Sequence, residues 1–158
     1  MLLYHATSTA FEFGTEVTAR ENVLWYPEVV EIIEKCRPIG KPSRSLCIFA
    51  VETVVAACAF YSAQPGYDPS AMRIFRVEMP TYHKAPFRLV HEISKRLASH
   101  HPTDALAAEY WAPTYEWFAW EFFGPTFNII EEVAPATAKD IMLFKLSYDR
   151  DYRLAATL

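Results

Sequence analysis

Along residues 41–61, KPSRSLCIFAVETVVAACAFY, the spacing of apolar positions changes, so one stretch predicts two kinds of structure. After the polar turn Pro42-Ser43-Arg44, the residues Leu46, Cys47, Ile48, Phe49, Ala50 and Val51 form an unbroken apolar run of strand length. Val51, Val54, Val55 and Cys58 then fall at i, i+3, i+4 and i+7, the spacing of a helix face. Ala56, Ala57 and Ala59 keep that helix slim. A buried strand running into a buried helix, with a serine and an arginine at its mouth, can wall a ligand cleft. It can equally serve packing alone.

The rest of the pattern supplies the frame. Residues 1–7 read as a first strand, with Leu2, Leu3 and Tyr4 leading to a polar edge of His5, Ala6 and Thr7, and the stretch to Leu24 reads as a surface loop with a turn at Phe13-Gly14. Pro27 opens an amphipathic helix, with Val29, Ile32, Ile33 and Cys36 on one face and Glu28, Glu31 and Glu34 toward water; Arg37-Pro38 ends it. Pro65-Gly66 and Asp68-Pro69 mark a loop, and residues 72–79 read as a strand. Residues 86–99 form a predicted helix with Val90, Ile93 and Leu97 inward and Arg88, His91, Glu92, Lys95 and Arg96 outward. His100 and His101 read as its solvated end, and Thr103 or Asp104 caps a short helix carrying Leu106, Ala107, Tyr110 and Trp111. Strand resumes at 126–130, a last strand is predicted at 141–146, and residues 148–158 carry no assignment. Five or six strands mixed with three or four helices, without strict βα alternation, predict an α+β fold, and the length predicts a single domain over residues 1–158.

Composition narrows the classes. At 52% hydrophobic residues the chain can build a real core, while a net charge of −4 argues against general attraction to nucleic acid or anionic lipid. Cys36, Cys47 and Cys58 lack CxxC spacing and sit in apolar patterns, so they read as buried thiols in a reducing compartment, with no metal site. No basic leader and no apolar run of membrane-spanning length is present, so the expected location is cytoplasmic, with no membrane partner. Aromatics are abundant, with Trp25, Trp111, Trp117 and Trp120 near other rings, which suits an aromatic core or a large pocket. Among the acids, Glu121 stands out. Trp120, Phe122 and Phe123 surround it, and a carboxylate there is costly unless it is used.

Three separated segments, YHATS at 4–8, SLCIFAVETVVAACAFY at 45–61 and WEFFGPTFNII at 120–130, together resemble a family. They are similar to the motifs of the NAD-dependent ADP-ribosyltransferases, in the His-Tyr-Glu branch that includes diphtheria toxin and the poly(ADP-ribose) polymerases. The run between the first two segments, with EKCRP and KPSRS, is similar to a small bacterial and phage group with an ADP-ribosyltransferase-like fold. The resemblance spans roughly residues 2–133, and the order of the segments carries most of its specificity.

The resemblance implies a split or bent β-sheet with flanking helices around an NAD cleft. It implies that His5 hydrogen-bonds the adenosine ribose, the Ala6 backbone holds the nicotinamide amide and Thr7 supports the neighbouring ribose. Phe49 or Ile48 stands near the family's tyrosine, Phe60 or Tyr61 near the ring that stacks on nicotinamide, and Glu121 at the catalytic carboxylate. Ser43 and Arg44 are further candidates, for the pyrophosphate or the amide. Three departures bear on this: Ala6 replaces glycine, no tyrosine sits in the Ile48-Phe49 strand, and Ala56 stands where the family has a serine. The implied activity is transfer of ADP-ribose from NAD, used as a substrate without metal, to a protein or nucleic-acid acceptor. The alternatives are an RNA 2′-phosphotransferase-like enzyme that consumes NAD, and a catalytically silent NAD-cleft binding module of phage or host-defence type.

Overall fold

The computed structural model describes residues 1–19, 26–64 and 66–158. Residues 20–24 of the predicted surface loop, Trp25, and Pro65 of the predicted turn lie outside these. The fold is α+β, with two antiparallel sheets. One has the order β1-β4-β7-β2, built from β1 (Leu2–Thr7), β2 (Glu16–Thr18), β4 (Arg73–Glu78) and β7 (Thr126–Val133). The other has the order β3-β6-β5, from β3 (Ile48–Ala50), β5 (His83–Pro86) and β6 (Trp120–Gly124).

The sheets meet where β1 passes β3. Tyr4 and Val51 exchange both backbone hydrogen bonds, at 2.8 and 2.9 Å. One residue further along, His5 Nδ1 lies 2.7 Å from the Phe49 carbonyl oxygen. β1 otherwise pairs with β4, and β3 with β6, so the strands diverge from this contact and leave room between them.

Five helices flank the sheets among the described residues: α1 (Pro27–Lys35), α2 (Val54–Tyr61), α3 (Arg88–Ala98), α4 (Asp104–Trp111) and α5 (Ala138–Ala155). Pro27 fixes the first turn of α1, Val29 and Ile33 pack in one cluster with Leu89, Ile93 and Trp111, and Val30 is buried beside them in sequence. Thr53 caps α2 through its hydroxyl, which accepts from the Ala56 amide. α3 closes in a Schellman turn. His101 N–H bonds to Arg96 O and His100 N–H to Leu97 O, with His100 left-handed at φ 57°, in keeping with the solvated helix end read there.

Several expectations are corrected. Residues 141–146 are helical, not a strand, and α5 also takes up most of the unassigned tail. Thr137 caps it, and Ile141, Phe144, Tyr148, Asp151 and Ala155 form one inward stripe at helical spacing. The polar Asp151 within that stripe masked the period. Its carboxylate is fully buried because it accepts the backbone N–H groups of Phe118 at 2.7 Å and Ala119 at 2.8 Å, tying α5 to the approach to β6. β2 and β5 are further strands; one is polar and the other ends at Pro86, so neither shows an apolar alternation. Leu46 is 62% exposed and sits in a tight helical turn at Arg44–Leu46, so the strand begins two residues later than its apolar run. Cys36 is exposed at the end of α1, whereas Cys47 and Cys58 are buried. Glu92, placed outward from sequence, is buried and pairs with Arg96 at 3.7 Å.

Candidate functional site

A cavity of about 340 Å³ opens between β1, β3, α2 and α3. His5 and Ala6 reach it from β1, Arg44 from the turn before β3, Phe49 from β3, Phe60 and Tyr61 from α2, and Glu121 from β6. Segments more than a hundred residues apart thus converge, in the order the sequence suggested. Thr7 and Ser43 do not line the cavity: Thr7 Oγ1 accepts from the Thr9 amide, and the Ser43 hydroxyl lies 2.8 Å from that of Ser45. Ala6 has an ordinary negative φ and pairs with Ile74, so alanine at this position costs no backbone strain.

Arg44 and Glu121 form the electrostatic centre. The Glu34 carboxylate accepts the Arg44 backbone N–H at 2.7 Å, which fixes the turn and sends the side chain inward. There Arg44 Nη2 donates to Glu121 Oε2 at 3.0 Å, and Nε donates to Glu121 Oε1 at 3.3 Å and to the Tyr110 hydroxyl at 3.0 Å. Tyr110, fully buried on α4, donates in turn to Glu121 Oε1. Burial opposes the Arg44 charge, but the attraction of Glu121 with these hydrogen bonds outweighs it and holds the guanidinium firmly protonated. Burial likewise pushes the Tyr110 phenol well above its ordinary range. The ring of Phe49 lies 4.5 Å beneath the guanidinium. Nη1 of Arg44 makes no hydrogen bond among the described residues, so a charged donor remains for a ligand.

Glu121 is not the lone buried acid that its neighbours in sequence suggest. Glu92, Glu109 and Asp151 are also buried. Glu109 accepts from the Thr114 hydroxyl, the Thr114 and Tyr115 amides and Trp117 Nε1, and Asp151 from two amides, so both hold local structure. Of the buried acids, Glu121 is the one that lines the cavity.

His5 is held by burial below its ordinary pKa, with the Phe49 carbonyl opposing the shift. Because a carbonyl only accepts, Nδ1 carries the proton and Nε2 is the acceptor. Among the rings, Phe60 is stacked on Phe87 at 3.8 Å and Phe49 is covered by Arg44. Tyr61 has only an edge contact, with Tyr67, and is the better placed of the three to meet a flat group. Sequence reasoning missed Tyr26, Phe87, Val90 and His91, which close the cavity from α3 and the start of α1. The spacing in α3 predicts His91 outward, whereas the structure turns it to the cavity, where it packs against Tyr26 and Phe87.

Among the described residues no group of three or more His, Cys, Asp or Glu side chains could hold a metal ion, and no helix is long and apolar enough to cross a membrane. No protein-family model matches the chain, and no curated protein matches it.

Proposed function

We propose that the protein is an NAD-dependent ADP-ribosyltransferase, with the cavity holding the nicotinamide ribose end of the substrate. The observation that carries this reading is the convergence of His5, Phe49, Tyr61, Arg44 and Glu121 on one cavity between two sheets. The residues fit the substrate. A volume of about 340 Å³ suits a nucleoside-sized group, the Nε2 of His5 is an acceptor for a ribose hydroxyl, and the Nη1 of Arg44, without a hydrogen bond among the described residues, suits a phosphate oxygen or a carboxamide.

NAD supplies the ADP-ribosyl group: its glycosidic carbon–nitrogen bond breaks, nicotinamide leaves with the electron pair, and an acceptor oxygen or nitrogen bonds to the same carbon and gives up its proton to water. Glu121 faces the cavity with a carboxylate that orients a ribose hydroxyl and balances positive charge developing on the sugar. Tyr110 and Arg44 hold that carboxylate in one orientation, so it needs no rearrangement when charge develops. Tyr61 offers a ring face for the nicotinamide. The acceptor is a protein or nucleic acid that approaches the cavity mouth, and the site is expected to work in the cytoplasm.

One observation favours a second reading, a catalytically silent NAD-cleft module. Both oxygens of Glu121 are engaged, and the Arg44 charge weakens its attraction for a cationic sugar. The RNA 2′-phosphotransferase reading, which needs several arginines at the phosphate, has less support. Arg37, Arg73 and Arg76 pair with Glu34, Glu132 and Glu131 outside the cavity. Incubation with labelled NAD and a cell extract tests the proposal: labelled macromolecule with released nicotinamide supports transfer, binding without turnover supports the silent module, and failure of NAD to bind overturns both readings.

A further inference from the structure

Three long polar side chains of α3 are engaged away from the cavity. Arg96 pairs with Glu92 at 3.7 Å, Lys95 donates to the Tyr152 hydroxyl at 2.7 Å, and Arg88 lies 3.9 Å over the ring of Tyr148. His91 differs: neither ring nitrogen makes a hydrogen bond among the described residues, and the side chain lines the cavity together with Arg44 and Glu121. We propose that His91 is a specificity-determining ligand contact, whose imidazole hydrogen-bonds an uncharged group that both donates and accepts, such as a sugar hydroxyl of the bound dinucleotide. The inference rests on the NAD reading of the cavity.

The ring is held without using its nitrogens. Tyr26 contacts it nearly at right angles with centroids 5.7 Å apart, and Phe87 does so at 5.0 Å. Such edge-to-face contacts fix the plane of an imidazole while leaving its in-plane donor and acceptor unspent. Burial first, then the positive charges of Arg88 and Arg44, push its pKa down to about 4, so at neutral pH it is an uncharged ring with one N–H and one lone pair. That pair of functions matches a hydroxyl. A phosphate asks for donors and positive charge, which Arg44 supplies instead, so the cavity divides the ligand into an anionic part at Arg44 and neutral sugar at the histidines.

Calorimetry of NAD with the full chain at pH 7.5 tests the inference. His91→Phe keeps the ring and its contacts with Tyr26 and Phe87 but removes both nitrogens; it should weaken NAD about three- to tenfold, the loss of one hydrogen bond, with the unfolding temperature unchanged. His91→Gln, which again offers a donor and an acceptor, should recover part of that loss. In the wild type the His91 ring-proton resonance, assigned by its through-space contacts to Tyr26 and Phe87, should move on addition of NAD. An unmoved resonance, or unchanged affinity in His91→Phe, overturns the inference while wild-type binding leaves the NAD reading intact. A wild type that binds no NAD overturns both.

Discussion

The Arg44 guanidinium and the Glu121 carboxylate, 77 residues apart in the chain, lie 3.0 Å from each other at the base of the cavity, with side chains only 14% and 3% exposed. A pair this deep is costly to desolvate and still more costly to break. Arg44→Ala leaves Glu121 buried without its counter-charge and is expected to cost about 3–5 kcal/mol. Replacing both by apolar residues of similar size, Arg44→Met with Glu121→Leu, should cost less than Arg44→Ala alone. Urea unfolding of the single and double variants measures this; additive losses would show that the two charges act independently.

Asp151 is expected to be as important for stability as any core hydrophobe. Asp151→Asn replaces one carboxylate oxygen with an N–H₂ that faces a backbone N–H, so the Phe118 or Ala119 amide loses its acceptor. About 2–3 kcal/mol should be lost, read as a fall in the urea midpoint with unchanged slope.

The same residue explains why the sequence was partly readable. Elements with a single clear period are visible in it: β1, β4, α1 and α3 lie within about two residues of where the apolar spacing puts them, and the strand and helix of 41–61 are both present, with β3 beginning at Ile48. α5 is not, because Asp151 occupies a core position that only its tertiary partners, the Phe118 and Ala119 amides, make tolerable. Within the site, His5, Phe49, Tyr61 and Glu121 were singled out through chain order and local context. The Arg44–Glu121–Tyr110 network was not legible. Tyr110 looked like one more apolar helix position, and no local signal relates it to a carboxylate on a strand 11 residues later.

Acid should weaken the fold before its carboxylates titrate. His5, His83 and His91 all have pKa values lowered in the folded state, His83 and His91 to about 4, chiefly by burial. Below the ordinary value of 6.5 the unfolded chain binds protons that the folded chain refuses, so stability is full above about pH 6.5 and declines as pH falls toward 4. The midpoint of urea unfolding followed from pH 7.5 to 4 should fall across this window, and His83→Phe should flatten the decline. A flat midpoint in the wild type would contradict the assignment.

Gly124 ends the strand that carries Glu121, and a Cβ there would lie 2.2 Å from the Thr81 carbonyl oxygen. Backbone, unlike a flexible side-chain tip, cannot easily yield. Gly124→Ala should therefore cost about 1–3 kcal/mol and displace β6. Thermal unfolding checks the first effect; a loss of NAD affinity beyond that of the surface variant Glu131→Gln checks the second.

Glu121→Gln tests the central claim most directly. NAD affinity, NAD consumption and ADP-ribose transfer are measured for the wild type, Glu121→Gln and Glu131→Gln, the last removing only an ion pair with Arg76 outside the cavity. All assays are run below the unfolding temperature of the least stable protein, since glutamine leaves Arg44 without its counter-charge. If Glu121 acts on the developing sugar cation, Glu121→Gln keeps NAD affinity within about threefold and loses about a hundredfold or more in transfer, while Glu131→Gln matches the wild type. Full transfer activity in Glu121→Gln, equal losses in both variants, or a wild type that binds NAD without consuming it would contradict the account.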